Sequence, residues 1–196
     1  MIEQHVIWSD LGDGPGLEHL KLTRDDEGYL ADGMYIGRNK DTVPYRLRYL
    51  IRVDHAWQTL SVRLHLIDGP DGSADLSLTV DEKCDWRNED GDSVPGLAGC
   101  HEVDIYATPF TNTLPIRRLG LAAGESAEIS VAYFDAPNLE PRPVRQRYHC
   151  IRPCGPENGL YRYEALFRAG SAVEIEVDSD GLVIDYPGSF ERVWAG

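Results

Sequence analysis

The sequence has no long hydrophobic run: nowhere do about 18 consecutive apolar residues occur, the length that a membrane-spanning helix requires. The first residues, Met1 to His5, also lack the basic start and apolar stretch of a secretory signal peptide. These absences predict a cytoplasmic protein without a transmembrane segment. With 196 residues, of which 42% are hydrophobic, the chain is long enough to bury one core, and we predict a single domain over residues 1–196.

The chain is also poor in positive charge, with 19 Lys and Arg against 33 Asp and Glu and a formal net charge of −14. Such a surplus of carboxylates repels phosphate backbones and anionic membrane surfaces. The composition therefore predicts that nucleic acid is not a partner.

Sequence patterns of well-known catalytic sites are missing, among them Gly-x-Ser-x-Gly, His-Glu-x-x-His, the Walker loop and the dinucleotide fingerprint. We therefore predict no cofactor, and we assign no catalytic residue. The cysteines are too loosely spaced for a tight zinc knuckle, and we expect them to be free thiols in the absence of an export signal: Cys84, Cys100, Cys150 and Cys154. No metal site is predicted.

Helical periodicity is scarce, and apolar residues instead alternate with polar ones at a period of two. The clearest example runs from Tyr45 to Val53, where every second residue is apolar and most of the others are arginine. Roughly ten segments alternate in this way, joined by turns such as Asp68-Gly69, while residues 82–99 are predicted to be an exposed loop. The predicted fold is all-β, a strongly curved antiparallel sheet that forms a β-roll or a partly open barrel.

One stretch departs from this alternation. Between Thr108 and Leu121 the chain has two prolines, two adjacent arginines and three threonines around an apolar spine. Because proline has no backbone donor, the stretch cannot be a central strand. We predict a rigid crossover near residues 108–121, either extended or with one short helical turn that begins near Pro115.

The crossover also carries a family resemblance. The sequence has a Val-Asp-Ile strand at 103–105, then Thr-Pro-Phe-Thr-Asn-Thr-Leu-Pro-Ile-Arg-Arg-Leu at 108–119, and finally Val-Asp-x-x-Gly-Leu-Val-x-Asp-Tyr-Pro at 177–187. Together these motifs resemble a bacterial family, first known as a domain of unknown function and later described as "putative glycolipid-binding". The resemblance extends over nearly the full chain. It implies binding of a glycolipid or a related lipid, and it brings no established catalytic residues.

Four charged residues in or near these motifs are candidate site residues: Asp104, Arg117, Arg118 and Asp185. In one interpretation at least one arginine binds an anionic head group, since a guanidinium matches phosphate or carboxylate oxygens with two hydrogen bonds. In the other interpretation, which we favour, both arginines pair internally with the two aspartates. One arginine for each role is a third arrangement.

Tyrosines and amides on the strands of the carboxyl half form a second group of candidates, together with one residue of the crossover: Asn112, Gln146, Tyr148, Tyr163 and Tyr186. Their rings can stack on a sugar or a lipid head, and their polar ends can form hydrogen bonds. Ordinary packing of tyrosine in an all-β core explains the same pattern equally well.

Three functions fit these observations. The leading hypothesis is binding, without chemical change, of a glycolipid or other amphipathic small molecule, with its tail in the concavity of the sheet and its head at the rim. The alternative is a hydrolase or isomerase that acts on a sugar or lipid, with Asp104 or Asp185 as acid/base. The third is a structural or partner-binding module. A homodimer through an edge strand is compatible with all three, and the sequence does not determine it.

Overall fold

The computed structural model describes residues 2–12, 15–39 and 43–196. Within these ranges it has fourteen strands, one helix of seven residues and two 3₁₀ turns. The strands are β1 (Ile2–Asp10), β2 (Gly16–Asp25), β3 (Gly28–Arg38), β4 (Pro44–Val53), β5 (Thr59–Gly69), β6 (Gly72–Val80), β7 (Trp86–Asn88), β8 (Glu102–Ile105), β9 (Ser126–Phe134), β10 (Pro141–Arg152), β11 (Gly159–Ala165), β12 (Val173–Val177), β13 (Val183–Tyr186) and β14 (Phe190–Ala195). The helix is α1 (Thr113–Leu119), and the 3₁₀ turns are Pro95–Leu97 and Phe110–Asn112.

All fourteen strands belong to one sheet, in the order β7-β6-β5-β4-β3-β2-β1-β14-β13-β12-β11-β10-β9-β8. Neighbouring strands are antiparallel, except for β8 and β9, which are parallel. Because β7 and β8 remain as edges, the sheet is open and does not close into a barrel. The predicted all-β fold with one strongly curved sheet is therefore confirmed, with more strands than the sequence pattern predicted.

The two halves of the sheet are joined by β1 and β14, near the two ends of the described chain. Ile7 pairs with Trp194, and Asp10 pairs with Phe190. The sequence did not predict β14, because Phe190 is the one buried residue in this strand and regular alternation is missing. The long-range pairing with β1 decides its conformation.

The parallel strands β8 and β9 separate two groups of buried hydrophobic side chains. Val103 and Ile105 on β8, with Phe134 on β9, belong to the group that covers the inner face of β2 to β6. Val131 on β9 belongs to the other group, which includes residues of β10 to β13. The back of the β8–β9 pair therefore fills the concavity of the first half of the sheet, and this part of the predicted hollow is packed with side chains.

Strand β4 has one buried apolar face and one outer face rich in arginine, as its alternating sequence predicted. Its inner residues, such as Leu47, are buried, and its outer face has arginines that pair with carboxylates on neighbouring elements. Arg48 forms a two-pronged pair with Asp32, with 2.9 Å between Nη2 and Oδ2, and Arg52 Nη1 lies 2.6 Å from Asp25 Oδ2. These pairs are open to solvent and contribute little to stability, so they offset local charge without forming a basic patch.

Residues 82–99 differ from the exposed loop that their composition predicted. This segment contains β7 and a 3₁₀ turn, and it buries Cys84, Trp86 and Leu97. Trp86 Nε1 donates a 2.9 Å hydrogen bond to the Cys100 carbonyl oxygen. An indole that packs its ring and satisfies its N–H fixes a segment whose other residues are charged or small.

The crossover adopts the helical form of the two that were predicted. Phe110 N donates a 3.0 Å hydrogen bond to Thr108 Oγ1, and α1 follows the 3₁₀ turn directly. Gly120 ends α1 with a left-handed backbone conformation, φ 54°, which glycine adopts without a steric penalty. Across the three described ranges, every helix is too short or too polar to cross a membrane.

Candidate ligand-binding site

The candidate site lies where the parallel strands β8 and β9 end. Asp104 pairs with Tyr133, and Ile105 pairs with Phe134 at the last position of both strands. Asp104 is partly exposed, and Tyr106, which follows the strand, is 50% exposed. The carboxyl ends of the two strands thus reach solvent while their middle parts are buried.

Most of the predicted site residues come together here, in a group that we call the Asp104 cluster: Asp104, Asn112, Gln146, Tyr148, Tyr163 and Tyr186. Gln146 Nε2 donates a 2.6 Å hydrogen bond to Asp104 Oδ2. Tyr148 Oη donates a 2.9 Å hydrogen bond to Asn112 Oδ1. The cluster therefore links strands β8 and β10 to the crossover.

Asp104 has no basic partner within the described residues. Thr111 Oγ1 donates a 3.0 Å hydrogen bond to its Oδ1, and Gln146 donates to its Oδ2. A carboxylate has about four acceptor positions, so each oxygen can accept a further hydrogen bond. Burial raises the pKa of Asp104, and the hydrogen bonds from Thr111 and Gln146 oppose that rise.

Tyrosine rings surround this carboxylate. The centroids of Tyr148 and Tyr163 are 5.3 Å apart, and those of Tyr163 and Tyr186 are 6.1 Å apart. Burial is the main cause that raises the pKa of these tyrosines and of Tyr133, and the negative charge of Asp104 raises each pKa further. The hydroxyls therefore stay protonated. Aromatic rings beside a carboxylate and amides suit a ligand that has both apolar faces and hydroxyl groups.

Arg118 pairs with a carboxylate that the sequence analysis did not single out. Its Nε donates to Oε1 of Glu102, which is 0% exposed, while Glu102 Oε2 has no partner in the described part of the chain. Burial raises the pKa of Glu102, and Arg118 opposes this through its hydrogen bond and its charge. Glu102 lies two residues before Asp104 on β8 and therefore on the same face of the strand. The predicted pairing of Arg118 with Asp104 or Asp185 is wrong.

Arg117 has a different environment. Its guanidinium carbon lies 5.5 Å from the centre of the Trp57 ring, and its Nη1 donates a 3.4 Å hydrogen bond to the Ser179 carbonyl oxygen. Within the described residues it forms no ion pair, so its predicted pairing with an aspartate is also wrong. Trp57 and Ser179 hold Arg117, and neither belongs to the Asp104 cluster.

Asp185 lies on the outer face of the sheet, away from the Asp104 cluster. Val183 pairs with Val177, but Asp185 pairs with Glu176, so β13 has one extra residue between these pairs. Such a β-bulge reverses the alternation: the strand continues with Asp185 outward and Tyr186 inward. Asp104 and Asp185 therefore do not form a pair of neighbouring carboxylates.

Glu18 on β2 is the buried polar residue that sequence reasoning missed. It is 0% exposed, accepts hydrogen bonds at Oε1 from Tyr49 and, at 2.6 Å, from Thr108 Oγ1, and its Oε2 has no partner among the described residues. Burial raises its pKa to about 8, although both hydrogen bonds act in the opposite direction. The sequence did contain one signal of this burial. Glu18 alternates in step with Leu20 and Leu22, and these three residues share the inner face of β2.

Tyr49 reaches Glu18 by lying across Gly33, its partner on the intervening strand β3. A Cβ at Gly33 would lie 2.0 Å from Tyr49 Cζ. We expect Gly33→Ala to displace the ring and to lower the free energy of unfolding by about 1–3 kcal/mol, the usual cost of overpacking. Urea unfolding followed by tryptophan fluorescence measures this change.

Gly96→Ala provides the matched control, because a Cβ at Gly96 meets no atom within 4 Å. We expect that variant to keep the stability of the parent protein within about 0.5 kcal/mol. Equal stabilities of the two variants would show that Tyr49 does not depend on the missing side chain at Gly33.

Hollows at the surface of the described residues include the following two. One has a volume of about 360 Å³ and lies between the β5–β6 turn and residues 137–140, and the other has about 110 Å³ and lies near Tyr29 and Asp180. Neither is lined by a residue of the Asp104 cluster. The predicted tail site in the middle of the sheet is thus not one of these hollows.

Groups of three or more His, Cys, Asp or Glu suited to a metal ion do not occur in the described ranges. The four cysteines are free. Cys84 Sγ lies 3.2 Å from His101 Nδ1, which brings one thiol and one imidazole together without further ligands.

Comparisons with known proteins agree with the motifs. A family model described as "Putative glycolipid-binding" matches residues 5–192. A crystal structure of a DUF1089 family protein from Pseudomonas aeruginosa is 38% identical in sequence, with a TM-score of 0.83 over 91% of this chain and 92% of that one. A beta-barrel-like DUF1849 protein from Brucella abortus has a TM-score of 0.61 over 99% and 97% of the chains at 12% identity, which shows a shared fold alone. Among curated proteins no sequence matches. Since the family model spans nearly the whole chain, the protein belongs to the family described as putative glycolipid-binding, as its crossover motif predicted.

Proposed function

We propose that the protein binds a neutral amphipathic molecule with a hydroxyl-rich head, a glycolipid or a related lipid, and that the head group contacts the Asp104 cluster. One observation carries the proposal: Asp104 is a partly exposed residue whose carboxylate lies among tyrosines, with no basic partner in the described residues. The description of the family supports the same class of ligand.

The chemistry of the cluster favours a neutral head over an anionic one. Asp104 accepts hydrogen bonds, and the protonated hydroxyl of the partly exposed Tyr186 can donate one. Gln146 and Tyr148 are buried and donate to Asp104 and Asn112, so they hold the acceptor in place. A phosphate would meet the negative charge of Asp104, while Arg118 is already paired with Glu102. Sugar hydroxyls both donate and accept, and the apolar face of a sugar ring can pack on the partly exposed ring of Tyr186.

The side-chain amides of Asn112 and Gln146 offer a direct test by nuclear magnetic resonance. We expect their signals to shift when octyl glucoside, octyl galactoside or an alkyl maltoside is added below its micelle concentration. Asp104→Asn removes a charged acceptor while it keeps the size of the side chain, so affinity should fall about tenfold to a hundredfold.

Asp26→Asn is the matched control, because Asp26 is exposed on the turn between β2 and β3. It should leave binding unchanged. The proposal is overturned if the Asn112 and Gln146 signals stay in place with every glycoside, or if both aspartate variants bind as the parent protein does.

The hydrolase alternative requires a carboxylate without an arginine partner in a pocket that reaches solvent. Asp104 meets the first condition, but no second carboxylate of the described residues lies beside it, free of an arginine, to serve as the partner of an acid/base pair. Asp185 lies on the outer face, beside Glu176 and Glu191 on the neighbouring strands. Binding without chemical change therefore remains the proposed function.

We also propose that the protein is cytoplasmic. Its four free cysteines, of which Cys84, Cys100 and Cys150 are buried, support a reducing compartment. Thiols persist where glutathione and thioredoxin keep them reduced.

A further inference from the structure

The beginning of β6 faces the inside of the curved sheet without being covered. Ala74 pairs with Leu66 on β5, and paired residues of adjacent strands point to the same face. Leu66 is buried at 5% exposure, whereas Ala74 is exposed. The edge strand β7 pairs only with residues 78–80 of β6, so the edge of β6 beside Ala74 has no neighbouring strand.

The 360 Å³ hollow occupies this opening. Its apolar wall includes Leu66, Ala74 and Leu139, and both leucines join the main core, Leu66 as a member and Leu139 packed against it. The volume falls at the lower end of the range for small-molecule sites, about 300–1,000 Å³. The hollow therefore has one apolar wall, continuous with the core, and a polar opposite side that includes Asp71, Asn138 and Glu140.

Charge restricts the ligand. Asp71 and Glu140 line the hollow, and none of its described lining residues is basic. An anionic group there would be repelled by both carboxylates, whereas an uncharged hydrocarbon chain meets the leucines without an electrostatic cost. The lining suits the chain of a neutral amphiphile.

The hollow and the Asp104 cluster lie near the same end of β9. Phe134, the last residue of β9, pairs with Ile105, which follows Asp104 on β8. Pro137, three residues after Phe134, lines the hollow. The chain that leaves β9 therefore leads from the cluster to the hollow.

From this arrangement we propose that the hollow formed by Leu66, Ala74 and Leu139 receives the hydrocarbon chain of the amphiphile whose head contacts the Asp104 cluster. The chain crosses the end of β9 at the rim instead of entering the middle of the sheet, which is packed with side chains. This inference rests on the proposed function for the position of the head, while the hollow itself is an independent feature.

A series of glucosides from methyl to octyl tests the chain site. In the parent protein, affinity should rise about fourfold for each methylene that enters the hollow. Ala74→Phe fills the opening from an exposed position. It should abolish this increase and leave the weak binding of methyl glucoside unchanged.

Thr79→Phe is the matched control, since Thr79 is an exposed residue on the outer face of the same strand. It should keep the full dependence on chain length. In the unmodified protein, the methyl signals of Leu66, Ala74 and Leu139 should shift with octyl glucoside and stay in place with methyl glucoside.

The outcomes separate the two proposals. Shifted Gln146 amide signals together with unmoved Leu66 and Leu139 methyl signals overturn the chain site and leave the proposed function intact. Shifted methyl signals without any change at Gln146 support the hollow and overturn the head-group site. Equal affinity for all chain lengths also overturns the chain site.

Discussion

Glu18→Gln is expected to abolish most of the loss of stability that the parent protein undergoes as pH rises from 4.5 to about 8. The folded protein holds a proton on buried Glu18 up to about pH 8, whereas the unfolded chain releases it near the ordinary value of 4.5. Between these values the folded state binds more protons, so the free energy of unfolding falls as pH rises.

The slope of this loss is about 1.4 kcal/mol per pH unit, so Glu18 accounts for roughly 4–5 kcal/mol across the window. The stability contribution is fully present below pH 4.5 and is lost as pH rises through about 8. Glutamine has nearly the same shape, accepts hydrogen bonds from Tyr49 and Thr108 through its carbonyl oxygen, and does not titrate.

Urea unfolding of the parent and Glu18→Gln proteins at a series of pH values measures the effect. The two should have similar stability near pH 5, and the variant should be several kcal/mol more stable at pH 9. Glu157→Gln, at an exposed position, should follow the parent curve. Parallel curves for the parent and Glu18→Gln would contradict the raised pKa of Glu18.

Arg118→Ala is expected to lower the free energy of unfolding by about 3–5 kcal/mol, because it leaves the carboxylate of Glu102 buried without a partner. Glu102 is 0% exposed, and its second oxygen already has no partner in the described structure.

Arg117→Ala is the neighbouring control. Arg117 contacts the Trp57 ring and one backbone oxygen, so its loss should cost at most about 1 kcal/mol. Combining Arg118→Ala with Glu102→Gln should restore much of the lost stability, since the buried group is then neutral. Equal costs for the two arginine variants, or no recovery in the double variant, would contradict the buried ion pair.

Glu18 and Glu102 are two buried carboxylates that could not both be recognised from the sequence. A glutamate within an acidic sequence usually belongs to the surface, and composition alone assigns both residues there. At Glu18 the alternation with Leu20 and Leu22 indicates an inward position. Strand β8 has only four residues, too few for alternation to indicate which way Glu102 points. Burial on both faces of β8 follows from its position between the two hydrophobic groups.

The binding hypothesis depends on the Asp104 cluster, and the sequence predicted its members but not their contacts. It identified Asp104, Gln146 and Tyr148 as polar or aromatic residues on carboxyl-half strands. The structure puts Gln146 within 2.6 Å of Asp104, although 41 residues separate them along the chain. By contrast, the bulge in β13 removes Asp185 from this group, and no simple alternation predicts an extra residue.

The sequence by itself determined that this protein is an all-β member of its family, because alternation with a period of two fixes strands and their two faces, and the 108–119 motif is long and specific. Only the tertiary structure decided which side chains meet: Arg118 with Glu102, Glu18 with Tyr49 and Thr108, and the cluster around Asp104. The physical reason is that alternation says which face a residue occupies, whereas strand register, bulges and sheet curvature set its neighbours across the fold.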